Sequence, residues 1–117
     1  LRLVRDESGR EHQASQRVFS ARTANEVMRM LIDVVDGDGT GKRARIPGLH
    51  VAGKTGTAQT GQFSGGTELK NYWFAGFVPA EQPSYTIVVL QDTQAEPAFS
   101  SAAIFARVAA GLEILAP

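Results

Sequence analysis

Two apolar runs, "YWFAGFVP" and "SYTIVVLQD", meet through the short link "PAEQP". Both are aromatic and β-branched, the residue types that fit a pleated surface. A parallel pair needs a crossover of a dozen residues or more, so a link this short allows only an antiparallel hairpin. Upstream, "IPGLHVAGKTGTAQ" alternates: Leu49, Val51 and Gly53 fall on one face, and His50, Ala52 and Lys54 on the other. Period two predicts a third strand running from about Arg45. Between them, "TGQFSGGTELKN" is polar and turn-rich and predicts a loop.

Helices flank these strands. Ser20 stands where an N-cap belongs, because its hydroxyl can accept from an orphan N–H of a first turn. Val27, Met30, Leu31, Val34 and Val35 then follow at helical spacing, with Arg29 and Asp33 outside the stripe. The run "DGDGTG" ends that helix, since its glycines do not sustain one. Between Phe99 and Leu115, the spacing of Ile104, Phe105, Val108, Leu112 and Leu115 predicts a second helix. Leu1 to Gln16 reads as a short polar hairpin, with "LRLVRD" alternating, "ESG" turning and "REHQ" returning. The fold class is therefore α+β: three antiparallel strands flanked by helices.

A chain of 117 residues makes about one domain and buries most of a core. Twelve basic residues balance twelve acidic ones, so no bulk field draws nucleic acid or an anionic membrane. The absence of cysteine excludes thiol catalysis and cysteine-ligated metals. No apolar run approaches the ~20 residues that span a bilayer. The sequence opens on Leu1 without a methionine or a signal peptide, and is expected to be a segment of a longer chain.

Residues 48–55, "GLHVAGKT", fit the phosphate-loop pattern, and "TIVVLQD" ends on Asp92 like a metal-binding acidic strand. The surroundings argue against it. A phosphate loop needs a strand before its first glycine and a helix near its lysine. Here Pro47 interrupts the strand, and "TGTAQTGQ" after Lys54 does not begin a helix. The run ending at Asp92 is hairpin-paired, whereas a nucleotide fold wants parallel strands.

Read as a strand, "KTGTA" puts Lys54, Gly56 and Ala58 on one face. Gly53 and Gly56 let another molecule approach the backbone closely. A cation, two hydroxyls and an open edge suit capture of a peptide bearing a carboxylate, with the main chain binding as an added strand and Lys54, Thr55 and Thr57 holding the charge. The stretch reads equally as a Gly/Thr-rich surface strand.

"GKTGTAQ", a polar loop and "YWFAGFVPAEQPSYTIVVLQD" together resemble the C-terminal part of penicillin-binding proteins, the D,D-transpeptidases that cross-link peptidoglycan. "VVDGDGTGKRARIPGLHVAGKTGTAQ" is similar to the helix end, glycine-rich turn and entry strand of the class B type, and "SSAAIFARVAAGLEIL" to the helix that packs on its sheet. The resemblance runs over nearly the whole chain and implies that residues 1–117 are the C-terminal segment of one transpeptidase domain. It implies that Lys54 lies beside a nucleophilic serine, orienting the hydroxyl network and holding the substrate carboxylate. Thr55 and Thr57 would bond that carboxylate, the Thr57 N–H would supply half of the oxyanion hole, and Gly56 would leave room for peptide or β-lactam. The implied partners are a peptidoglycan stem peptide, β-lactams and the N-terminal part of the same domain, with self-association of the isolated segment. The implied location is the extracytoplasmic face of the bacterial membrane, in a membrane-anchored parent. No metal or organic cofactor is implied.

The family activates its serine within S-x-x-K. None of Ser8, Ser15, Ser20, Ser64, Ser84, Ser100 and Ser101 has lysine three residues on or asparagine two residues on. The segment alone is therefore expected to form no acyl-enzyme. A β-lactamase or β-lactam sensor of the same fold, and a non-catalytic peptide-binding module, share the same features. Of the remaining polar residues, His12 and His50 read as structural or solvated rather than zinc ligands, with His50 at the cleft rim on the face of Lys54. Arg43 and Arg45 read as a solvated face, Asp92 as a turn or cap residue, and Trp73, Phe74 and Phe77 as core.

Overall fold

The computed structural model describes residues 17–115, and side chains through Leu112. The hairpin expected over Leu1 to Gln16 lies outside the described residues. Ser20 is extended (φ −68°, ψ 155°) and its Oγ accepts the Thr23 N–H at 3.1 Å, opening α1 at Ala21–Asp36. Of the expected stripe, Val35 is fully buried and Leu31 and Val34 are half-buried. Val27 and Met30 remain 47% and 64% exposed, so only the C-terminal half of α1 reaches the core.

The glycine run ends α1 as expected. The Gly37 N–H bonds Asp33 O at 3.0 Å, and the Gly41 N–H folds back to Val34 O at 3.1 Å. Arg43 and Arg45 are both exposed, as expected, but Arg45 also makes a specific contact. Its guanidinium donates to the carbonyls of Val35 (2.8 Å), Gly37 (2.6 Å) and Asp36. A cation thus satisfies carbonyls that α1 leaves unpaired, at the negative end of its dipole.

The first strand starts later than the alternation predicts. Ile46–Leu49 forms a tight turn with Gly48 at φ 81°, and β1 spans Ala52–Ser64. Pro47 and Gly48 explain the delay, because one lacks an N–H and the other takes a left-handed backbone. The polar stretch expected as a loop is instead the far end of a hairpin. β1 continues to Ser64, β2 spans Thr67–Val78, and Ser64 pairs with Thr67. Gly65 (φ 60°) and Gly66 (φ 81°) supply the two positive φ angles that a type I′ turn demands. Near this tip the register slips: Gln59 pairs with Lys70 but Phe63 with Glu68. Thr60 stabilises the bulge by donating to Leu69 O at 2.6 Å.

β3 spans Tyr85–Thr93 and completes an antiparallel sheet in the order β1-β2-β3, followed by α2 at Ser101–Leu115. Asp92 lies inside β3, exposed and opposite Asn71, rather than at a turn. Phe74 of β2 and Phe105 of α2 meet edge to face, with ring centroids 4.8 Å apart at 62°. Both are fully buried, with Val35, Ala44, Val51, Val78, Ala102 and Ala109 around them. The buried face of α2 thus runs through Ala102, Phe105 and Ala109, while Val108, expected inside, is 44% exposed. Alanines on that face let the helix approach the sheet closely. Trp73 was also expected in the core. It points to the opposite face of β2 from Phe74 and is 37% exposed.

Candidate active-site wall

Register fixes which residues of β1 share a surface. Thr55 lies opposite Phe74 and Thr57 opposite Tyr72, so both threonines project to the side of the sheet that carries α2. Lys54 lies opposite Ala75 and Gly56 opposite Trp73, on the other side. β1 is an edge strand, and its second edge has no strand partner among the described residues. Alternate residues therefore aim N–H and C=O groups outward, as strand addition requires.

A cleft of about 250 Å³ opens between β1, β2 and the start of α2, lined by Thr40, Thr55, Gly56, Thr57 and Tyr72, with Glu96 and Ser101 among its other walls. Lys54 is exposed and outside the lining. Its ammonium reaches back over the strand to donate to Thr55 O at 2.9 Å and to Thr55 Oγ1 at 3.4 Å. The arrangement thus joins a cation and two hydroxyls at one strand, facing a cleft that also holds the Glu96 carboxylate.

The two glycines of this stretch differ. A Cβ on Gly53 would stand 2.5 Å from Phe74 Cζ, so packing inside the chain requires that glycine. A Cβ on Gly56 would meet only Trp73 Cβ, at an ordinary 3.6 Å. Nothing within the described residues demands the bare backbone at Gly56, which leaves open space beside an exposed strand.

His50 does not share the strand face of Lys54. It precedes β1, and its Nδ1 bonds the Glu81 carboxylate in the β2–β3 connection. That hydrogen bond first, and the charge of Glu81 second, raise the imidazole pKa above its ordinary value. The same bond lowers the pKa of Glu81. His50 borders a separate depression with Arg45 and Pro47, away from the cleft. Among the described residues, no three histidine or carboxylate side chains cluster as a metal site, and no helix is long and apolar enough to cross a membrane.

Two contacts had no expectation behind them. Thr40, read only as part of a helix-ending run, places its Oγ1 2.8 Å from Thr55 Oγ1. Ser101 is buried; its Oγ donates to Tyr72 O at 2.7 Å and accepts from Gln91 Nε2 at 2.9 Å. It pins the start of α2 to β2 and forms part of the cleft wall. A threonine between two glycines was the only sequence signal for the first contact, and Ser101 offered none.

The phosphate-loop reading fails on geometry. Lys54 and Thr55 lie within β1, the residues after them stay extended, and no helix begins there. The Penicillin binding protein transpeptidase domain family matches residues 2–110. The chain belongs to this family. It is 40% identical over 110 residues to the penicillin-binding protein PbpB of Mycobacterium tuberculosis, covering 82% of this chain and 16% of that protein. It is also 40% identical over 85 residues to a peptidoglycan D,D-transpeptidase FtsI homolog of Nephroselmis olivacea, covering 70% of this chain and 12% of the relative. This segment of a class B transpeptidase domain therefore spans less than a fifth of either relative's length.

Solved transpeptidase domains share its fold. The domain from Burkholderia pseudomallei penicillin-binding protein 3 superposes with a TM-score of 0.69 at 30% identity, over 94% of this chain and 34% of that one. The D,D-transpeptidase domain of a peptidoglycan glycosyltransferase from Eggerthella lenta gives 0.64 at 30% identity, over 93% and 25%.

Proposed function

We propose that residues 1–117 form the C-terminal part of a peptidoglycan D,D-transpeptidase domain and supply the K-T-G wall of its active site. The complete domain would act at the extracytoplasmic face of the membrane. Its serine hydroxyl, carried outside this segment, attacks the carbonyl between the two terminal D-alanines of a stem peptide. The terminal D-alanine leaves with the proton, and an amine of a second peptide then takes the acyl group and regenerates the serine. β-Lactams acylate the same serine and trap it.

The observation that carries this reading is the β1 edge: two threonine hydroxyls in the cleft, an ammonium beside them, and a glycine that internal packing does not require. Lys54 orients the serine network and attracts the carboxylate. Thr55 and Thr57 donate to that carboxylate, and Gly56 lets the peptide lie against the strand. The Thr57 N–H is one half of the oxyanion hole, a role that survives replacement of its side chain.

The test is the second-order rate at which a fluorescent penicillin acylates the full transpeptidase domain, with folding checked by melting. Lys54→Ala nearly abolishes acylation. Thr57→Val removes one hydrogen bond to a charged group, a loss of about 1.5–3 kcal/mol, and slows acylation roughly ten- to a hundredfold without abolishing it. If both folded variants react at the parental rate, β1 is not the active-site wall.

A further inference from the structure

We propose that Thr40 is a positioning residue for the carboxylate-binding hydroxyl of Thr55, a proposal that rests on the reading of β1 as the active-site wall. The two hydroxyl oxygens are 2.8 Å apart, and both residues line the cleft. A carboxylate only accepts hydrogen bonds, and a threonine hydroxyl has one hydrogen to give. When Thr55 donates that hydrogen to substrate, its oxygen can take part in the Thr40 contact only as the acceptor. Thr40 must then be the donor. The chain Thr40 O–H to Thr55 Oγ1, and Thr55 O–H to carboxylate, fixes the Thr55 rotor and polarises the hydrogen that meets the substrate. The Lys54 ammonium also reaches this oxygen, but at 3.4 Å it is a weaker donor than a hydroxyl at 2.8 Å.

The turn carrying Thr40 is built tightly enough to hold it there. A Cβ on Gly39 would stand 2.5 Å from Val34 O, and one on Gly41 would stand 3.0 Å from Val34 O and 3.4 Å from the Phe74 ring. Glycine on each side thus lets the turn fold onto the end of α1 and against the core. The Gly41 N–H bond to Val34 O at 3.1 Å locks that path. Thr40 projects between these glycines toward a strand residue fifteen positions later.

The experiment compares acylation of the full transpeptidase domain by a fluorescent penicillin and by its methyl ester, which cannot accept the same charged hydrogen bonds. Thr40→Val keeps the branched shape and slows reaction with the acid about three- to tenfold, the range for one neutral hydrogen bond. The rate with the ester stays unchanged, and Thr40→Ser restores the rate with the acid. In a Thr55→Val background, Thr40→Val adds nothing. Equal losses with acid and ester, or full additivity with Thr55→Val, would mean that Thr40 only braces the turn, and would overturn the proposal. A parental rate in Thr40→Val beside a slow Thr55→Val overturns the relay but leaves the wall standing. A parental rate in Thr55→Val removes the wall itself. If Thr40→Val does not fold, Thr40→Ala is read by the same outcomes.

Discussion

The contrast between Gly53 and Gly56 separates a packing requirement from a binding one within four residues of chain. Gly53 gives its space to the Phe74 ring, whereas beside Gly56 a Cβ would meet only Trp73 Cβ, at an ordinary 3.6 Å. Gly53→Ala drives a methyl to 2.5 Å from that ring and 3.0 Å from Ala75 O, and is expected to destabilise the fold by about 1–3 kcal/mol. Gly56→Ala is expected to leave stability within about 0.5 kcal/mol, yet to slow penicillin acylation of the full domain through steric conflict with the bound ligand. Denaturant melts and acylation rates of both variants check this. A large loss of stability in Gly56→Ala, or an unchanged acylation rate, would contradict the division of roles. The K-T-G residues themselves were legible as a candidate site. The reason each glycine is present was not, because it depends on what faces each residue across the sheet.

Among the elements, α1 shows how a helix end can be held by a residue outside the helix. Ser20 caps the N-terminus locally, and the sequence placed it. Arg45, eight residues beyond Gly37, caps the C-terminus through three carbonyls. A helix end held this way also anchors the turn that carries Thr40. Arg45→Met keeps much of the apolar stem but removes the donors. It is expected to cost about 0.3–1 kcal/mol, the range for an exposed cation at a helix C-terminus. Thermal unfolding measures the loss. An unchanged melting temperature would mean that water serves those carbonyls equally well. The distal half of the β1–β2 hairpin, "TGQFSGGTELKN", is the stretch that composition misread. It is polar and largely solvated, so it carries no hydrophobic alternation, and the Gly65–Gly66 pair was its only strong turn signal.

For the whole molecule, the decisive feature is a sheet packed under α2 on one face and covered on the other, among the described residues, only where α1 lies beside Phe77. α2 buries Phe74 and its neighbours. The opposite face leaves Trp73, Val88 and Leu90 at 37%, 57% and 47% exposure, and β1 keeps an open edge. Val27 and Met30 of α1 add apolar surface. In the proposed reading the rest of the transpeptidase domain covers these surfaces. The isolated 117-residue chain is therefore expected to self-associate, because uncovered apolar faces and strand edges seek partners. Sedimentation velocity across a concentration series checks this, and a stable monomer at high concentration would count against it.

What the sequence determined by itself is whatever local physics controls. β-Branched runs and a five-residue link dictated the β2–β3 hairpin, Ser20 and the apolar spacing dictated α1, and "GKTGTAQ" with "YWFAGFVPA" carried the family. Tertiary structure decided which faces those elements turned inward. β1 begins at Ala52 because the Ile46–Leu49 turn precedes it, not because alternation starts there. α2 docks through Ala102, Phe105 and Ala109, small residues around one ring, rather than through its most apolar stripe. The Arg45 cap and the Thr40–Thr55 contact join groups eight to fifteen residues apart, across a helix end and a turn, and each forms only when the packed core brings the two segments together.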